Sequence, residues 1–382
     1  MLARLAFLNR QLSLSILFLL MVGFNLAWAN EQVFSLTQLS KELDRPWAVE
    51  VLPDGRVVIT ERGGTLRIYD KGELSQAIEG LPAVYNAGQG GLLDVKAHPD
   101  FAKNAWLYFT YSSGSATKNR TVLARAQLRE SKLQGQKLQD VVVLFEAEPS
   151  KKQAYHFAGR IEFLPDRSLV FGVGDGYFYK EQAQELSSHL GKFIRLRDDG
   201  SIPTDNPFVS NSKAKPAIFS LGHRNPQGVF YDSKRKVLFS NEHGPKGGDE
   251  INILQAGSNY GWPTITYGVN YDGSVISELT HKAGMQQPLH QWTPSIAPSS
   301  MVVYYGKTFP GWHGHLLTTT LKYQELRLVK LAQDGMQLNV IEELSLLKNK
   351  GERLRDIAVD NKGRVLLITD SGKLWRLEKP EA

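Results

Sequence analysis

The chain has 382 residues, 42% of them apolar, and carries 45 Lys and Arg against 39 Asp and Glu. It contains no cysteine, which excludes a disulfide framework and a lipid-modified cysteine anchor. The basic excess is mild and forms no Lys/Arg block, so nothing in it points to nucleic acid.

The first predicted element is an export signal. Arg4 and Arg10 form a charged start, Leu12 to Leu26 a mostly apolar run, and Ala27-Trp28-Ala29 a small-residue cleavage pattern. The run is short for a full membrane span. Residues 1–29 therefore read as a removed signal peptide, and 30–382 as one exported domain without a stable membrane anchor, periplasmic or secreted. Loss of the two arginines lowers the formal charge of +6 by two units.

Beyond this point one unit recurs: an apolar strand, a turn with Asp or Gly, a second β-rich strand, then a polar or Gly-rich loop. It appears at Pro46–Gly64 (PWAVEVLPDGRVVITERGG), Gly90–Gly114, Gly159–Gly176 (GRIEFLPDRSLVFGVGDG), Gln227–Gly244 and, more loosely, Ser300–Thr320. The sixth copy is Arg355–Gly372, RDIAVDNKGRVLLITDSG. Alternation inside each copy, as in Ala48-Val49-Glu50-Val51, marks strands. Helical periodicity is confined to the leader and short stretches such as Glu181–Leu190. Hairpins recurring every 45 to 75 residues or so, with further strands between them, predict an all-β, six-bladed β-propeller with long loop insertions. Its ends meet to close the ring. A β-sandwich and a β-helix are the competing folds, and the irregular spacing argues against the β-helix.

In an antiparallel hairpin the start of the first strand and the end of the second lie together. Gln89, His156, Arg160, Arg224, Asn225, Arg353 and Arg355 fall at or beside first-strand starts. Asp175, Gly244, Pro245, Asp249, Glu250 and Lys322 fall at second-strand ends. Propeller symmetry gathers them at one mouth of the central channel. Cations so clustered repel unless an anion joins them, and guanidinium groups grip carboxylate or phosphate through a bidentate fork. The mouth therefore reads as a site for a polyanionic small molecule.

These same residues carry a family resemblance. GQGGLLDVKAHPDF, HFAGRIEF, ELSSHLGKFIRL, GSIPTDNPF, LGHRNPQG, NEHGPKGGDEINIL, GSNYGWP and RLRDIAVD, spread from Pro46 almost to the C-terminus, resemble the soluble aldose sugar dehydrogenases of the glucose/sorbosone dehydrogenase family. The resemblance implies a six-bladed propeller that uses pyrroloquinoline quinone (PQQ) and calcium to oxidise the anomeric carbon of an aldose sugar to a lactone, passing electrons to an external acceptor. It implies His156 as general base, and Arg224 with Asn225 beside the reactive quinone carbonyl. Gln89, Lys322, Arg353, Arg355 and Tyr271 would be further cofactor contacts. It implies the carbonyls of Gly244 and Pro245 on the cofactor's calcium, and Glu250 with Tyr260 on a second one. Tyr155 departs from the pattern, standing where some relatives place an acid. A monomer is expected.

Two other functions compete with this reading. A calcium-dependent propeller hydrolase, such as a lactonase, usually holds its ion in a ring of acids and amides, which a cationic mouth disfavours. A non-catalytic binding propeller has no need of His156 and the clustered cations. The tryptophans Trp47, Trp262 and Trp292 are expected to be packing residues. GPKGGDE lacks the Gly-Lys-Ser/Thr ending of a nucleotide loop, and His313 with His315 lacks partners for a zinc set.

Overall fold

The computed structural model describes residues 34–131 and 135–380, so the leader lies outside the described residues. Six four-stranded antiparallel sheets stand around a central channel. The first three are β2–β5 (Pro46–Val51, Val57–Glu61, Thr65–Asp70, Glu73–Leu74), β6–β9 (Leu92–Ala97, Trp106–Gly114, Asn119–Ser131, Gly135–Glu146) and β10–β13 (Ala158–Phe163, Leu169–Val173, Lys192–Leu196, Ile218–Leu221). They are followed by β14–β17 (Pro226–Asp232, Val237–Glu242, Asp249–Leu254, His290–Trp292) and β18–β21 (Pro298–Val303, Leu316–Thr320, Leu326–Asp334, Gln337–Leu346). The sixth blade is β22–β24 (Leu354–Val359, Val365–Thr369, Leu374–Glu378), completed by β1 (Ser35–Ser40), which pairs with β24 from Ser35↔Glu378 inward. That pairing closes the ring with the two ends of the domain. The six repeats read from sequence are the inner hairpins of the six blades.

The strands follow from their side chains. The second strands, VVITE, LVFGV and VLLIT among them, are buried at every position because both faces meet a neighbouring blade. The outer β21 is exposed or half-buried at every position but Leu338 and Leu346. The core lies between blades: Val49, Val57 and Ile59 of the first pack on Leu366, Ile368 and Leu374 of the last. Phe193 and Phe219 of the third likewise pack on Val229 and Leu238 of the fourth. The Glu181–Leu190 stretch forms only a 3-10 turn at Lys180–Gln184. Beyond the turn, Gly191 runs close under Ala183 and the His223 carbonyl, at φ +68, with no room for a side chain.

Two features position the site. Each innermost strand carries a register shift near its start, at Pro46/Ala48, Leu92/Val95, Ala158/Ile161, Pro226/Gly228, Pro298/Ser300 and Leu354/Asp356. Such bulges bend the strand and re-aim its side chains, here all at one mouth. The second feature is Arg160, on the third blade. It donates to the Trp47, Gln227, Ser299 and Arg355 carbonyls and pairs with Asp94 at 3.1 Å and Asp356 at 2.8 Å. One guanidinium thus touches all five other blades. It sits deeper than the mouth and divides the channel into a cavity of about 300 Å³ on the bulged side and one of about 680 Å³ on the other.

Candidate active site

His156 lies two residues ahead of β10. Its backbone is in the left-handed region (φ 47), and its N–H donates to Gln89 Oε1 at 2.8 Å. The ring Nδ1 lies 2.7 Å from Asp175 Oδ1. That carboxylate is fully buried and also accepts from Trp262 Nε1–H at 2.8 Å and the Tyr177 N–H at 2.7 Å. Burial alone would raise the Asp175 carboxyl, but His156 and Arg224 pull it below 3.8. An ionised carboxylate only accepts, so Nδ1 bears the hydrogen and Nε2 keeps its lone pair. Burial lowers the pKa of His156 below 6.5, against the pull of Asp175 and with the help of Arg224. The ring is therefore a neutral, oriented base at neutral pH. Asp175 has no role in the sequence reading, although GVGDG at a second-strand end marked its place. It supplies the acid that Tyr155 does not, from the neighbouring strand rather than the neighbouring residue.

Arg224 and Asn225 precede β14. Asn225 Oδ1 accepts from the Ala158 N–H at 3.2 Å, locking the fourth blade to the histidine loop. Arg224 is buried; its Nη1 donates to the Gly244 carbonyl at 2.8 Å and the His243 carbonyl at 3.1 Å, and its N–H donates to Glu242 Oε2 at 2.6 Å. The Gly244-Pro245 loop is braced from below. Asp249 accepts from the Gly244 N–H at 2.9 Å, and with its other oxygen from Ser295, Ile296 and Ala297. That acid is a structural hub of the loop. Glu250, together with Glu242, Gly244 and Tyr260, lines a small space of about 20 Å³. Burial, then the Glu242 charge, pushes the Glu250 carboxyl up to about 8. The Tyr260 hydroxyl donates to the Ile253 carbonyl at 2.6 Å and accepts from the Gln255 N–H at 2.9 Å, which leaves its main-chain carbonyl as its free oxygen donor. Glu242 is a further acid at this spot that the sequence reading missed.

The 300 Å³ cavity is lined by Gln89, Asn225, Arg353 and Arg355, and by Arg62, His243 and Asp370, which sequence reasoning did not single out. Asp370 takes Arg353 at 2.7 Å and Arg355 at 2.8 and 3.1 Å. The two guanidiniums hold its carboxyl below 3.8 against the effect of burial. Arg62 reaches the Gly88 and Gly90 carbonyls, and burial and the nearby Arg355 lower its pKa. Arg353 also donates to the Leu321 carbonyl at 3.2 Å, which brings the Lys322 turn to the same rim, with Lys322 itself exposed. Arg224, Lys322 and Arg355 thus lie at one end of the channel. Tyr271 stands apart, 61% exposed and outside the residues that line this cavity. His243 Nε2 is buried and finds no hydrogen-bond partner among the described residues. Burial, then Arg224 and His156, lowers this imidazole to about 3, so it is neutral; the ring donates to the Pro298 carbonyl, which leaves the unpartnered Nε2 as an acceptor. The three tryptophans are buried, Trp47 under the Arg160 guanidinium at 4.1 Å, but Trp262 and Trp292 do more than pack, donating to Asp175 at 2.8 Å and Glu343 at 2.9 Å.

Three arginines against one carboxylate leave an excess of positive charge, and an orphaned buried acceptor adds a demand for a donor. Both suit an anionic, planar ligand bearing N–H or O–H groups, as PQQ is. Among the described residues no set of three His, Cys, Asp or Glu side chains is grouped to hold a metal. The Glu242–Glu250 pair with nearby carbonyls is still the hard-oxygen donor set that calcium takes. No helix among the described residues is long and apolar enough to cross a membrane.

The glucose/sorbosone dehydrogenase family model matches residues 43–376. The chain is 38% identical to the aldose sugar dehydrogenase YliI of Escherichia coli K12, covering 92% of this chain and 94% of the relative. The apo-form crystal structure of the soluble aldose sugar dehydrogenase from Escherichia coli superposes with a TM-score of 0.85 at 36% identity, over 91% of this chain and all of the other. The PQQ-bound aldose sugar dehydrogenase from Streptomyces coelicolor superposes with a TM-score of 0.73 at 27% identity, over 91% of this chain and 98% of that one. The motifs, the six blades and the match over residues 43–376 agree: this chain belongs to the glucose/sorbosone dehydrogenase family.

Proposed function

We propose that the protein is a PQQ- and calcium-dependent dehydrogenase that oxidises the anomeric carbon of aldose sugars to lactones and delivers the electrons to an external acceptor. The observation that carries this is a neutral His156, held by ionised Asp175 and bonded through its N–H to Gln89, which lines the same cavity as Arg62, Arg353 and Arg355. When bound, PQQ supplies a two-electron acceptor, and calcium the positive charge that polarises it. Gln89, Asn225, Arg353 and Arg355, with Lys322 at the rim and the His243 acceptor, would hold the cofactor, with Tyr271 an outer contact. Gly244 and Pro245 carbonyls would hold one calcium, and Glu250 with the Tyr260 carbonyl and Glu242 a second. A carbonyl has two lone pairs, so Gly244 can serve an ion and Arg224 together.

His156 Nε2 takes the proton of the anomeric hydroxyl as the carbon is oxidised. Asp175 stabilises the imidazolium that forms and fixes the ring's orientation. Arg224, buried over Trp262 at 5.4 Å, offers positive charge where negative charge develops. The charge excess argues against the lactonase reading, which needs a mainly acidic ion site. The leader pattern of residues 1–29 supports export of a domain spanning 30–382, working as a monomer outside the cytoplasm.

The test is a dye-linked assay on purified protein with an aldose. Reduction of the dye only when PQQ and calcium are both added is expected, with loss of turnover in His156→Ala. Turnover without PQQ, or full turnover in the variant, would overturn the proposal.

A further inference from the structure

Three large exposed aromatic rings stand together beside the base: Tyr155 (43% exposed), Tyr177 (38%) and Phe178 (61%). Tyr177 meets the His156 ring edge-on at 5.2 Å between centroids. Phe178 lies 4.7 Å beyond Tyr177, and Tyr155 lies 5.6 Å from Tyr177 and 6.5 Å from Phe178. Exposed rings cost water contact, and soluble proteins rarely cluster them without use.

The loop is also built rather than loose. Tyr177 has φ 67, a conformation that a side-chain-bearing residue resists. It is held there because Asp175 Oδ1 accepts its N–H, and the Phe178 N–H closes onto the Gly176 carbonyl at 2.8 Å. The Asp175 oxygen that takes the Tyr177 N–H is the one that takes His156 Nδ1–H. The aromatic wall and the base therefore share one fixed reference, and strain held at such a place marks function.

A sugar ring has an apolar C–H face that settles on aromatic rings and a polar rim that bonds to neighbouring groups. A ring whose anomeric hydroxyl reaches His156 Nε2 meets Tyr177. Phe178 and Tyr155 meet Tyr177 and each other but make no ring contact with His156, so they extend the apolar surface beyond the ring that meets the base. We propose that Tyr155, Tyr177 and Phe178 form a subsite for the second sugar of a reducing oligosaccharide, making short oligosaccharides rather than free monosaccharides the preferred substrates. The inference rests on His156 being the base of a sugar-oxidising site.

Calorimetric titration of the protein supplied with PQQ and calcium tests it, with methyl glucoside and methyl maltoside as probes that the enzyme cannot oxidise. The maltoside is expected to bind about tenfold tighter, a ratio that falls to about twofold in Phe178→Ser and in Tyr155→Ser. Equal affinities in the wild type, no maltoside binding, or a ratio unmoved in both variants would overturn the subsite. Failure of the dye assay sinks the quinone reading yet leaves the glycoside comparison standing, so the two failures are told apart.

Discussion

Replacing Arg160 by methionine probes the centre of the fold. The side chain is 5% exposed, makes four carbonyl hydrogen bonds, and pairs with Asp94 and Asp356. Methionine fills the volume but leaves two carboxylates buried without a counter-charge, which costs about 3–5 kcal/mol. The loss depends on pH. Burial already lifts the Asp94 carboxyl to about 6 with Arg160 present; without the guanidinium it rises further. An acid whose folded pKa is raised is protonated at no penalty in acid and destabilises as pH rises. The variant should therefore lose more at pH 8 than at pH 5, by about 1.4 kcal/mol for each unit of extra elevation. Urea unfolding followed by tryptophan fluorescence and circular dichroism at the two pH values measures both effects. Adding Asp94→Asn and Asp356→Asn should restore part of the loss at pH 8. A loss below about 1 kcal/mol, or one equal at both pH values, would refute the claim that this arginine neutralises the channel centre.

Asp175→Asn should cut kcat by roughly 10³-fold or more with a smaller change in KM, because an amide no longer dictates which ring nitrogen carries the hydrogen. In the wild type, the rate should fall as pH drops through a value below 6.5, where His156 gains its proton; a pH–rate profile reads this directly. In the calcium-free protein, stability should decline as pH rises from 4.5 toward 8, because the folded state holds a proton on Glu250 that the unfolded chain releases. Calcium should remove that decline, and Glu250→Gln should abolish both the decline and the calcium-induced rise in melting temperature.

Legibility differed by kind of feature. The strands were readable because apolar alternation and Asp/Gly turns are local, and the six hairpins fell where GRIEFLPDRSLVFGVGDG and its sister stretches stand. Position within the repeat also brought Gln89, His156, Asn225, Arg353 and Arg355 to one mouth, since hairpin geometry and ring symmetry need no knowledge of side-chain packing. Tyr271 was harder to place, because it lies in a long insertion that no repeat anchors.

What the amino-acid order settled alone was the run of strands, the ring and the end of the channel that carries the polar residues, all set by short-range patterning and repetition. Only the three-dimensional packing decided the partners: Asp175 on His156, Asp370 between two arginines, Asp249 beneath Gly244, and Arg160 bridging the blades. These contacts join residues 5 to 195 positions apart. Their energies depend on burial and on distances of a few ångströms, quantities a linear order does not contain.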